Sequence, residues 1–101
     1  MSVIPVTQKN YQETIVQSEK PVMIDLWASW CGPCKMLSPI VEQLAEDHPE
    51  WKVCKINVDD EPQLAQQFRV SAIPTLVFLK NGEITATSVG FRSKAEIENM
   101  L

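Results

Sequence analysis

Apolar and polar positions along the chain change period several times, and each change marks an element. Val22 to Trp27 (VMIDLW) is apolar at every position but one, the pattern of a central strand covered on both faces. Beyond Trp30 the period turns helical. Met36/Leu37, Ile40/Val41 and Leu44/Ala45 recur every four residues, which predicts a helix running to about Glu46 with one broad buried stripe. Pro39 falls inside that helix and is expected to kink it, because proline deletes one backbone donor and crowds the preceding turn. Lys52 to Val58 reads as another strand. Pro62 ahead of Leu64, Ala65 and Phe68 predicts a short helix with proline in its first turn.

The flanks complete the order. Val3 to Val6 is a short strand whose Pro5 cannot donate to a ladder, so it belongs at a sheet edge. Thr7 to Ser18 reads as a first helix, with Asn10 and Glu13 at capping-box spacing and Tyr11 and Ile15 on one face. Thr75 to Leu79 and Glu83 to Val89 surround Lys80, Asn81 and Gly82, and the Asn-Gly pair predicts an antiparallel hairpin. Ser93 and Glu96 give a second capping-box spacing, opening a last helix whose Ile97, Met100 and Leu101 face inward. The resulting order, β-α-β-α-β-α-β-β-α, implies a mixed sheet with helices on both faces.

Composition narrows what such a domain does. A chain of 101 residues suits one compact domain, so residues 1–101 are read as a single unit. Its net charge of −4 comes without runs of either sign, which argues against a nucleic-acid or polybasic membrane surface. The longest apolar stretches are strand-sized, and MSVIPVTQKN has neither a basic opening nor a long apolar core, so a soluble, cytoplasmic protein is expected. Three cysteines in a reducing compartment do not make a disulfide framework; a reactive pair plus one spare suits the count better.

That pair is in WCGPCK, residues 30–35. Cys31 follows a strand end and Cys34 lies in the first turn of the long predicted helix. The first N–H groups of a helix lack intrahelical partners and carry about half a positive charge, which favours a thiolate by roughly 0.3–1 kcal/mol, and by ~2 when partly buried. This lowers the Cys31 pKa by around one unit and raises its thiolate fraction at neutral pH from about 3% to about a quarter. Pro33 suits a first-turn position, Gly32 leaves room beside the sulfur, and the i, i+3 spacing brings both sulfurs within disulfide reach. An attacking thiolate with a resolving neighbour is the equipment of thiol–disulfide exchange. Other readings of the residues are half a zinc site with Cys54 and His48, a structural disulfide, and two unrelated buried thiols.

DLWASWCGPCK (25–35), AIPT (72–75) and KNGE (80–83) ahead of Val89 and Gly90 together resemble the thioredoxin family, at matching separations over essentially the whole chain. The resemblance implies an α/β thioredoxin fold: a central mixed five-stranded sheet, three parallel strands plus an antiparallel hairpin strand, flanked by four helices. It implies a protein-disulfide reductase cycling between Cys31/Cys34 dithiol and disulfide, with no cofactor beyond that pair. Its partners would be disulfide-containing proteins and a thioredoxin reductase, and the chain would be a monomer. A disulfide isomerase or oxidase on the same fold, and an interaction subunit that does not use its thiols, are the alternatives.

Position by position, the resemblance makes Cys31 the exposed nucleophile and Cys34 the more buried resolving residue. Asp25 becomes the proton acceptor and donor behind them, and Lys55 the cation that modulates it. Burial of Asp25 should raise its pKa while Lys55 pulls it down, and the sequence does not rank the two. Ile73–Pro74 is expected to be a cis peptide bond, and Trp30, Ile73, Pro74 and Gly90 to form a flat substrate-docking surface around Cys31. Leu26, Ser29 and Ala72 depart from the family's commonest residues, the last two near that surface. Trp27 is read as a packing residue and Cys54 as a small core residue, inert through burial.

Overall fold

The all-apolar run becomes strand β2 (Val22–Trp27), the middle strand of a five-stranded sheet, in a computed structural model that describes residues 3–101. Strand order is β1-β3-β2-β4-β5, where β1 is Ile4–Pro5, β3 Lys52–Asn57, β4 Thr75–Lys80 and β5 Glu83–Val89. Strands β1, β3 and β2 run parallel, β4 is antiparallel to β2, and β5 is antiparallel to β4. Pro5 is on an edge strand, as its missing donor requires. That strand is two residues long, and Val6 extends its pairing with one bond to the Lys55 carbonyl. Asn81 and Gly82 both have positive φ, 54° and 79°, the conformation that joins β4 to β5 in a two-residue turn.

Among the described residues four helices flank the sheet: α1 (Gln12–Val16), α2 (Gly32–Asp47), α3 (Pro62–Gln67) and α4 (Lys94–Glu98). The expected twelve-residue first helix is corrected to a five-residue segment wound as a π-helix. Asn10 explains the loss. Its side chain turns backwards, accepting from the Thr7 N–H at 2.8 Å and donating to the Pro5 carbonyl at 3.0 Å, so it forms no capping box with Glu13. Tyr11 and Ile15 still pack into the core. Helix α2 is continuous through Pro39, which sits on its exposed side, where water can satisfy the Lys35 carbonyl left without its usual donor. The Ser93–Glu96 capping box forms in full, with Glu96 N–H to Ser93 Oγ at 3.2 Å and Ser93 N–H to Glu96 Oε1 at 2.9 Å.

Alternation along β2 sorts the core. Ile24 and Leu26 face the layer of α1 and α3 with Ile15, Ile56 and Leu64, while Met23 faces α2 and α4 with Leu37, Val41, Leu44 and Ile97. The same period puts Asp25 on the face of Met23, beneath the start of α2. A carboxyl is thereby delivered into the apolar layer directly behind the cysteine pair.

Candidate active site

Helix α2 starts where β2 has just ended, and Cys31 is its N-cap, with extended backbone at φ −91° and ψ 115°. Its sulfur accepts the otherwise unpaired N–H of Cys34 at 3.2 Å. One of the orphan amides of the first turn thus points at Cys31 Sγ, the donor that a sulfur anion would meet there once the pair is reduced. Gly32 and Pro33 fill the intervening positions, where Pro33 sacrifices no intrahelical bond. A Cβ built on Gly32 meets no heavy atom within 4 Å, so the approach beside the sulfur is open.

Cys31 and Cys34 are joined as a disulfide with their Cα atoms 5.2 Å apart. The expected contrast of an exposed Cys31 with a buried Cys34 takes a different form: their exposures are 4% and 3%. Each sulfur shields the other in the oxidised state, and Ala28, Trp27, Val58 and Ile73 pack around both. What differs is the side each faces. Cys31 Sγ lies 3.9 Å from the Ile73 carbonyl oxygen, at the edge of a surface bearing the exposed Trp30, Gly32 and Pro33. Cys34 instead lines a cavity of about 280 Å³ that reaches Asp25, Trp27, Ser38 and Lys55.

Asp25 is 4% exposed, and its Oδ1 has no hydrogen-bond partner. Burial pushes its pKa up to about 7, against a smaller opposing pull from Lys55. Desolvation thus wins the contest that the sequence leaves unranked. Lys55 is half-buried and pairs with Asp25 in the β2/β3 register. Trp27 packs against the cysteine cluster, although its buried Nε1 also lacks a partner.

The peptide bond Ile73–Pro74 is cis. The Pro74 carbonyl accepts the Gly90 N–H at 2.8 Å, and Gly90 adopts φ 93°, a region that disfavours side-chain-bearing residues. Trp30, 69% exposed, hydrogen-bonds through Nε1 to Asp59 Oδ2 at 2.8 Å. Ile73 is thus beside Cys31, with Pro74 next in the chain and Gly90 bonded to the Pro74 carbonyl. Two neighbours escaped the sequence reading: Val58, packed against the cysteines, and Asp59, the partner of Trp30. The available signal was their place just beyond the carboxyl end of a parallel strand, where α/β sites collect.

Cys54 belongs to the other core layer, between Ile4 and Ile24 in register, and is fully buried. Burial pushes its thiol up to about 12, outweighing a small contrary effect of Lys52. Cys54 is thus set apart from the Cys31/Cys34 pair, in a different core layer. Among the described residues, no helix is long and apolar enough to cross a membrane.

Comparison with known proteins agrees with this geometry. The family model described as Thioredoxin matches residues 2–101. A thioredoxin of Porphyra purpurea is 41% identical over 102 residues, covering 100% of this chain and 95% of that protein. Thioredoxins of Acidithiobacillus ferridurans and Pseudomonas aeruginosa are 39% and 37% identical, covering 99% and 98% of this chain and 94% and 93% of theirs. Similarity end to end, joined to a cysteine sulfur capping the helix that carries its partner, places this chain in the thioredoxin family of thiol–disulfide oxidoreductases, which reduce protein disulfides.

Proposed function

We propose that Cys31 is the nucleophile, Cys34 the resolving thiol and Asp25 the group that takes and returns the proton of Cys34. In the reduced protein the Cys31 thiolate attacks one sulfur of a substrate disulfide, forming a mixed disulfide and releasing the other substrate sulfur as a thiolate. Cys34 then loses its proton toward Asp25 and attacks Cys31 Sγ. The products are a reduced substrate and the Cys31–Cys34 disulfide, two electrons having moved to the substrate. Asp25 suits this part because a pKa of about 7 keeps both of its protonation states populated near neutrality. The shared cavity has room for water to carry the proton between the two groups. Lys55 tunes Asp25 through its charge.

Gly32 and Pro33 set the helix start, while Trp30, Ile73, Pro74 and Gly90 receive the substrate chain beside Cys31. The Ile73 backbone next to the sulfur suits pairing with an extended segment, a form of strand addition. A thioredoxin reductase restores the dithiol, and the pair itself is the redox group, without a further cofactor. On this reading the chain works as a single domain over residues 1–101, as a monomer in the cytoplasm.

The hydrogen bond from Cys34 N–H to Cys31 Sγ carries the proposal, because the same donor supports an anion on Cys31 once the pair is reduced. Insulin reduction driven by dithiothreitol tests it. Cys31→Ser should lose catalysis, and Cys34→Ser should stall as a mixed disulfide trapped at Cys31. A Cys31→Ser protein with parental activity refutes the assignment. Equilibration of the Cys31/Cys34 couple with a glutathione buffer tests direction: a potential in the range of strong oxidants would indicate an oxidase instead.

A further inference from the structure

Trp30 is 69% exposed, yet its one polar atom is not left to solvent but donates to Asp59 Oδ2 at 2.8 Å. Asp59 is itself held. Its N–H donates to Asn57 Oδ1 at 2.9 Å, the Asp60 N–H reaches the same oxygen at 3.3 Å, and the Glu61 N–H donates to the Asn57 carbonyl at 2.9 Å. Val58, between them, is tied to the sheet by its N–H to the Trp27 carbonyl at 2.9 Å. The carboxylate thus stands on a turn pinned to the end of β3, and the indole is fixed to it across 29 residues of sequence. Trp30 and Ile73 also line a mostly apolar groove together with Val58, Ala65 and Val70.

We infer that Asp59 is a positioning residue: it holds the Trp30 indole as a preformed wall of the docking surface, so that a protein disulfide meets an ordered edge. This rests on the reading of Cys31 as nucleophile and of Trp30 as part of the docking surface. An exposed tryptophan without a tether samples several rotamers, and binding has to immobilise it. Removing the tether therefore weakens docking of large substrates while leaving the sulfur chemistry alone, since the Asp59 carboxylate bonds to the indole, whereas Cys31 Sγ has the Cys34 amide and the Ile73 carbonyl beside it.

Kinetics of insulin and cystine reduction, measured on the full chain, separate these effects. Asp59→Ala should raise KM for insulin about two- to tenfold, the cost of ordering one side chain on binding, with kcat held. Cystine is too small to span the surface and should be reduced at the parental rate. Asp59→Asn keeps an acceptor oxygen and should stay within about twofold of the parent, as rescue by the conservative variant requires. Trp30→Phe keeps an aromatic ring but removes the N–H, and adding Asp59→Ala to it should change nothing further. The NMR order parameter of the Trp30 indole N–H should fall in Asp59→Ala and hold in Asp59→Asn. Parental KM and order parameter in Asp59→Ala overturn the inference, as does an equal loss in Asp59→Asn, which would assign the effect to charge. Full insulin reduction by Cys31→Ser would instead overturn the underlying assignment of the nucleophile.

Discussion

Asp25 and Lys55 stand opposite each other in the parallel register of β2 and β3, and between them burial prevails over attraction. The carboxyl sits at about 7, with the Lys55 charge holding it below where burial alone would put it. Removing that charge has a definite sign. Lys55→Met should raise the Asp25 pKa above about 7 and move the alkaline limb of insulin reduction in the same direction. Titration of the Asp25 side-chain carbon by NMR in both proteins measures it; an unchanged or lower value would show that Lys55 does not act on Asp25.

The same displacement is a statement about stability. Asp25 is protonated in the fold up to about pH 7 but ionises near 3.8 when unfolded, so the unfolded chain holds fewer protons in between. Stability from this group is complete below about 3.8 and is lost as pH rises toward 7, by about 4 kcal/mol at most. Asp25→Leu, which exchanges the carboxyl for an apolar side chain of similar size, should therefore be more stable than the parent at pH 8. At pH 4 the gain should be much smaller. Urea unfolding at both values checks this, and a pH-independent gain would mean that Asp25 is not the titrating group.

Cys54 gives a chemical contrast with the pair. A thiol with no exposed surface and a pKa near 12 offers almost no thiolate at pH 8, whereas Cys31 has the Cys34 amide to stabilise its anion once reduced. Iodoacetamide added to the reduced, folded protein at pH 7 should modify Cys31 first and leave Cys54 untouched. Guanidinium should then expose Cys54 to alkylation. Peptide mass mapping reads both, and early labelling at Cys54 would show that its layer opens in the native state.

How far the sequence reached depends on how local each signal was. The apolar run Val22–Trp27, the Asn81-Gly82 turn, the Ser93–Glu96 box and the start of α2 at Gly32 are decided within a few residues, and all form as expected. Asn10 failed because its side chain had two uses: the same amide that caps a helix can brace a preceding turn, and Pro5 offered it a carbonyl at 3.0 Å. The exposure of Cys31 is not a local property, because it depends on a bond to Cys34 and on Ile73, 42 positions away. The position of Asp59 beyond the carboxyl end of β3 is a local signal, but its bond to an indole 29 residues away is not. The balance at Asp25 needed the degree of burial, a property of the whole packed layer.

At the far end of α2, His48 is one of two polar links between that helix and α4 among the described residues. Its Nε2 lies 2.8 Å from Glu98 Oε2 and its Nδ1 3.3 Å from Glu50 Oε2, while Lys94 and Asp47 pair beside it across the same junction. The bond to Glu98, with help from Glu50, raises the His48 pKa above 6.5, partial burial opposing. A raised histidine pKa contributes stability that is complete below the unfolded value of about 6.5 and is lost as pH rises through the folded one. The site is partly open to solvent, so the contribution should stay below about 1 kcal/mol. Glu98→Gln should accordingly lower the melting temperature at pH 5.5, by no more than about 4–8 °C, and by much less at pH 9. Comparing the variant with the parent at each pH cancels the Asp25 contribution, which is common to both. A difference that is as large at pH 9 as at pH 5.5 would show that Glu98 acts through packing and not through the charge on His48.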